Sequence, residues 1–304
     1  MNGRLVAQYF IVRVTVLLAS SGCTDPAPNS QPSTNMSTTK APAGRDPQRG
    51  VDALRRLDMC AVLQVAAGAG RAMRTLRPSQ CATFDSGPEV EVSVARMPVD
   101  ERESHDAQDV GGAKAYVLAG SGDCTVSLPV NADLVIEFRG ADSCAKFQPK
   151  AAEAAEALRE PTPLESEPRW EACGALREVQ GVKVGGVENM DLCADTNTLA
   201  TLDFAYSEPG DVPARGWQRT TVDGVEVSTL DDRDPDAPSC TSEWSLGPAR
   251  SDHAEYELVA RVRAIDCGKV TPLVAPLVAI LKKGAPAGDP QQPLLYAPDE
   301  PDHP

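Results

Sequence analysis

The chain repeats itself around its cysteines. Cys144-Ala145-Lys146-Phe147-Gln148-Pro149 and Cys267-Gly268-Lys269-Val270-Thr271-Pro272 agree at fixed offsets: Lys two residues after each Cys, an apolar residue three after and Pro five after. The match runs on to Ala152 and Ala275 at the eighth offset and to Leu158 and Leu281 at the fourteenth. Such agreement is hard to reach by chance, so the sequence is expected to be a tandem duplication. The architecture is then α+β: two repeats, each an antiparallel sheet with an N-terminal and a C-terminal helix and two disulfides.

At 304 residues the chain has room for two domains, each large enough to close a small core. Only 4% of the residues are aromatic, so those cores must rest on Val, Leu and Ala and need cross-links. Four cysteines fall in each repeat: Cys60, Cys81, Cys124 and Cys144, then Cys173, Cys193, Cys240 and Cys267. Each set allows three connectivities. Cys124 and Cys240 open hairpins whose return strands lead to Cys144 and Cys267, which favours pairing each with its return partner. Cys60 with Cys81 and Cys173 with Cys193 follow by elimination. Zinc binding would want CxxC-type spacing, and no two cysteines lie that close.

The ninth cysteine, Cys23, follows a segment that reads as an export signal. Arg4 and Arg13 supply positive charge, Val14 to Ala19 are largely apolar, and Ser20-Ser21-Gly22 are small. A permanent span would bury Arg13 near mid-bilayer at about 2.5 to 3.5 kcal/mol, and the apolar run after it is too short to cross alone. Cys23 resembles the acylated cysteine of bacterial lipoproteins, although Ser20 stands where their cleavage box usually has Leu. Lipidation there would anchor the protein, and plain secretion is the alternative.

The expected organisation is a signal peptide (1–22), a Ser/Thr/Pro-rich disordered tether (23–50), a first repeat (51–160), a linker (161–168), a second repeat (169–284) and a disordered proline-rich acidic tail (285–304). Asp58 is a helix cap and Gly68-Ala69-Gly70 a helix stop. Val90, Val92 and Val94, like Leu202, Phe204 and Tyr206, alternate as half-buried strands. Asp100 to Asp109 reads as a charged loop. Val110 to Leu118 and Val222 to Leu230 read as matching strands. Pro149 suits the first turn of a helix, and Pro276 is expected to delay or kink the last one.

The formal net charge is −15, and without the first 22 residues 27 basic side chains face 44 acidic ones. A chain this acidic repels phosphate backbones, so nucleic acid is excluded as a partner. The three histidines, His105, His253 and His303, lie in charged stretches or the tail, and Gly120-Ser121-Gly122 is not a nucleophile elbow. Asp232, Asp234, Asp236 and Glu243 have calcium-loop spacing, but Ala237 stands where the loop needs Gly, so they read as a solvated acidic turn. Arg71, Arg74 and Arg77 make a small basic cluster that reads first as solvated surface. No catalytic residue, cofactor-binding residue or metal ligand is assigned.

Taken together, Cys60 to Leu63, Cys173 to Leu176, Gly112, Gly224, Cys144 and Cys267 carry a resemblance. The chain resembles actinobacterial lipoproteins built on a two-disulfide domain of unknown function, here present twice. That resemblance implies an envelope location, on the outer face of the cell membrane or secreted, and an α+β fold; it implies no reaction. The function expected is that of a non-enzymatic envelope lipoprotein that binds an unknown ligand or protein outside the cell. A secreted structural or accessory protein is the alternative, which predicts no pocket in the groove between the repeats. An envelope hydrolase using Ser121, His105 or His253 is the third.

Overall fold

The computed structural model describes residues 45–85, 87, 89–185, 189–207, 216–234, 237–248 and 256–302, all within one compact unit, Ala41–Pro304. The expected signal peptide, Cys23 and most of the expected tether lie outside these residues, as do His253, His303 and Asp236. None of the described helices is long and apolar enough to cross a membrane.

The first half opens with α1 (Pro47–Leu54), with Asp46 accepting from the Gln48 N–H as its cap. The expected tether therefore ends earlier than residue 50: Pro in the first turn and an Asp cap start a helix whose Val51, Ala53 and Leu54 are buried. α2 (Met59–Ala67) is capped by Asp58, which accepts from the Cys60 and Ala61 N–H groups, and it stops at Gly68 at φ 88°. There follow β1 (Met73–Arg77), β2 (Gln80–Thr83) and β3 (Val90–Arg96), the short helix α3 (Val99–Arg102), β4 (Ala107–Val110), β5 (Ala113–Ala119), β6 (Cys124–Pro129), β7 (Leu134–Gly140) and α4 (Cys144–Ala157).

The second half, after a 3-10 turn at Thr162–Leu164, runs α5 (Ala172–Arg177), β8 (Leu192–Ala194), β9 (Thr201–Ser207), β10 (Gln218–Val222), β11 (Val225–Asp232), β12 (Ser239–Pro248), β13 (Glu257–Ala264) and α6 (Cys267–Leu281). The first sheet has the order β1-β2-β3-β7-β6-β5-β4 and the second β10-β11-β12-β13-β9-β8, with every pairing antiparallel. Read from the other edge, the second order reproduces the last six strands of the first. Disulfides join Cys60–Cys81 and Cys124–Cys144 in the first half and Cys173–Cys193 and Cys240–Cys267 in the second, with Cα separations of 5.2, 4.9, 5.0 and 5.0 Å. Each half thus has one bridge from the helix before its sheet, α2 or α5, to a strand and one from a hairpin strand to the start of its last helix.

Several expectations change. Val110 to Leu118 is a hairpin rather than one strand, because Gly111 and Gly112 both take positive φ (62° and 72°) and turn the chain between β4 and β5. Asp223 and Gly224 do the same between β10 and β11. The charged stretch after Asp100 begins with α3, whose Arg102 is fully buried. Pro149 lies inside α4 and not in its first turn, since that helix already begins at Cys144. α6 likewise starts at Cys267, capped by Asp266, and is assigned without a break through Pro272 and Pro276. All three prolines are on exposed helix faces, where the carbonyl that loses its partner can turn to water.

The tail is the largest correction. Gln291, Leu294, Leu295 and Tyr296 are buried, and Leu294 and Leu295 belong to the core of the first half. A proline-rich acidic composition suggests disorder, but this segment needs no core of its own: it completes one already built. Arg45 grips it by donating to the Leu294 and Leu295 carbonyls at 2.9 and 2.7 Å and by stacking 4.2 Å from the centre of the Tyr296 ring.

Candidate functional site

The two sheets meet across a buried polar seam. Ser79, just after β1, donates its N–H to Asp191 Oδ2 at 2.9 Å, and its hydroxyl donates to the same oxygen. Arg77 pairs with Asp203 on β9. Arg169, in the connection between the halves, donates to the Leu57 carbonyl at 2.8 Å, and Arg55 donates back to the Arg169 carbonyl at 2.6 Å. Met190, from the second half, is fully buried in the first core. Burial drives the Asp191 carboxyl above its ordinary range, against the pull of Arg169 and the Ser79 hydrogen bonds.

Beside this seam lies a cleft of about 230 Å³. One wall is the start of α2 with Thr75 and Pro78; the opposite wall is Phe204, Tyr206, Leu246 and Leu258 of the second sheet; the connection through Trp170 and the end of α6 close the rest. The lining arises directly from strand alternation. Phe204 and Tyr206 point to one face of β9, and Leu258 is the register partner of Tyr206 on β13. Phe204 is itself buried in the second core, while Tyr206 and Leu258 are half-buried beside the end of α6 at Leu281.

Most polar groups around the cleft are already bonded. Asp58 caps α2, the Ser166 hydroxyl donates to the Arg56 carbonyl, and Thr75 Oγ1 lies 3.3 Å from Cys60 Sγ. Burial raises the Tyr206 phenol, which therefore stays protonated and able to donate. The Trp170 indole N–H is buried without a hydrogen-bond partner. The lining is thus aromatic and aliphatic on one side, with Asp58, Glu167 and Arg169 as its charged side chains and the Tyr206 phenol as a donor, which suits a largely apolar molecule with a polar end.

The candidates from the sequence fall elsewhere. Ser121 is exposed in the turn between β5 and β6, and His105 follows α3; neither side chain makes a hydrogen bond among the described residues. Glu243 pairs with Arg261 across β12 and β13. No group of three or more His, Cys, Asp or Glu that could hold a metal ion occurs among the described residues. Of the basic cluster, Arg71 pairs with Asp85, whose carboxyl that hydrogen bond holds at about 2, Arg77 pairs with Asp203, and Arg74 lies 5.9 Å from the Phe84 ring centre. Tyr206 and Phe204 were legible as strand residues, but nothing in the sequence marks the face they share with Trp170.

No family model and no curated protein matches the chain. Among solved structures, the apo structure of the immunity protein TplEi of T6SS from Pseudomonas aeruginosa is similar over 70% of this chain and 97% of that one, at 11% identity and a TM-score of 0.30. A likeness at that level bears on neither fold nor function.

Proposed function

We propose that the chain is a non-enzymatic, lipid-anchored envelope protein, a tandem duplication of the two-disulfide actinobacterial lipoprotein domain, that takes a small apolar ligand in the cleft between its halves. The observation that carries this reading is the cleft itself: residues of both halves, with the aromatic ones from the second, around a space that neither half encloses. The duplication is supported by the shared strand order of the last six strands in each sheet and by the matching places of the disulfides. Export is supported by four disulfides, which persist in oxidising compartments, and by Cys23 behind an apolar segment. Neither nucleic acid nor an active site enters this reading: the chain is strongly acidic, and Ser121 and His105 are not among the residues that line the cleft.

A purely structural role is favoured by one observation, the buried seam at Ser79 and Asp191, which would hold one half against the other without any ligand. The two readings separate in a hydrogen-exchange experiment with a lipid extract of envelopes. Ligand binding protects the amides of Phe204, Tyr206, Leu246 and Leu258, and Leu246→Arg, which puts a charge into the cleft, abolishes that protection while leaving the seam unchanged. Equal exchange with and without extract contradicts the cleft as a binding site.

A further inference from the structure

The C-terminal segment is held by more than apolar burial. β5 and β6 pair from Tyr116 and Ser127 outward to Ala119 and Cys124. At the other end, past Tyr116 and Ser127, the ladder opens, and Tyr296 enters it: the Lys114 N–H donates to the Tyr296 carbonyl at 2.9 Å, and the Tyr296 N–H donates to the Pro129 carbonyl at 3.4 Å. Gln291 adds donations to the carbonyls of Val130 and Leu294 at 2.9 and 3.0 Å. Six residues past Tyr296, Asp302 reaches a cage of three side chains. The Tyr116 hydroxyl donates to Asp302 Oδ2; Lys114 Nζ lies 3.6 Å and Arg102 Nη1 4.0 Å from Oδ1.

That cage is unusual on its own terms. Arg102 is 0% exposed, and its Nε and Nη1 have no hydrogen-bond partner; its Nη2 donates to the Leu134 carbonyl at 3.3 Å. Lys114 and Tyr116 are 7% and 4% exposed. A guanidinium taken out of water with two nitrogens unpaired is costly unless an anion faces it. Asp302, the carboxylate facing it, comes from the far end of the chain after the whole second half.

We propose that Arg102, Lys114 and Tyr116 form a carboxylate-binding site on the first half, and that the C-terminal arm is its resident ligand and can be replaced. The ligand class is an extended acidic segment with two leucines and an aromatic residue ahead of a carboxylate, the pattern of Leu294-Leu295-Tyr296 and Asp302. Recognition has two parts. The open ladder between β5 and β6 takes the backbone at Tyr296, and the buried cations take the acid. The arm carries no cysteine, so its grip on the first half is non-covalent throughout, and it begins at the connection itself, where Arg55 and Arg56 donate to the Pro286 and Ala287 carbonyls and Asp52 accepts from the Asp289 N–H.

The test uses the full chain, folded first and then cut at a protease site inserted between Ala287 and Gly288, so that folding does not depend on the missing arm. A fluorescent peptide of residues 288 to 304 is then offered to the nicked protein, beside the same peptide carrying Asp302→Asn. The wild-type peptide should displace the nicked arm and bind, and the Asn peptide should bind ~10-fold or more weakly, since a hydrogen bond to a charged group is worth about 1.5 to 3 kcal/mol. The uncut chain should take up neither. Equal binding of the two peptides overturns carboxylate recognition, and a nicked arm that never exchanges overturns a replaceable ligand.

Discussion

At the scale of single residues, the seam between the halves turns on one carboxylate. Asp191 is fully buried, accepts twice from Ser79, and has its second oxygen without a hydrogen bond. Burial holds its folded pKa above the unfolded value of about 3.9, so the protonated form is the one folding prefers. The stability this gives is fully present below the unfolded pKa and is lost as the pH rises through the folded one. Asp191→Asn keeps an acceptor for Ser79 without the charge. It should therefore gain on the wild type as the pH rises from about 4 to about 7, read as the difference in melting temperature across that range. A gap that widens in favour of the wild type toward neutral pH would mean that Arg169 and Arg77 outweigh the burial.

At the scale of elements, α4 docks where a strand makes room for it. Gly140 on β7 lies under Phe147 of α4: a Cβ added there would stand 2.4 Å from the ring. Gly140→Ala should thus cost about 1 to 3 kcal/mol in urea unfolding, because the fully buried ring has nowhere to move. An unchanged midpoint would show that α4 can slide away from the sheet. Much at this scale was legible in the sequence. The strands with strict alternation, the Asp58 cap, both hairpins that begin at cysteines and the disulfide partners all follow from period, capping chemistry and loop geometry. The β4–β5 and β10–β11 hairpins read as single strands because a left-handed two-residue turn needs only Gly-Gly or Asp-Gly, and apolar residues continue on both sides. β1 carries little signal, since Met73 to Arg77 alternates weakly and is an edge strand. The prolines of α4 and α6 misled for the opposite reason: sequence gives their cost but not the exposed face that reduces it.

At the scale of the whole molecule, the two halves are not beads on a string. Met190 enters the first core, Arg169 and Arg55 exchange hydrogen bonds, and the chain returns after α6 to place Leu294 and Leu295 in the first half. None of this is legible locally, because each contact joins residues whose own neighbourhoods read as loop or tail. The cleft is a product of the same closure, which is why no motif announced it. If Cys23 carries the lipid, Cys23→Ser should move the protein from the membrane fraction to the culture medium with its melting temperature unchanged, since the described fold begins only at Arg45. Equal partition of both forms would contradict anchoring at that residue.

Whether the cleft is a ligand site is decided by native mass spectrometry, without reductant, on residues 24 to 304 exported from an actinobacterial host and purified gently. The predicted spectrum is a monomer eight hydrogens lighter than the reduced chain, from its four disulfides, carrying a small-molecule adduct that disappears on denaturation and is missing from Leu246→Arg. A bare monomer in the wild type, or an adduct that persists in Leu246→Arg, would contradict a ligand held between the halves.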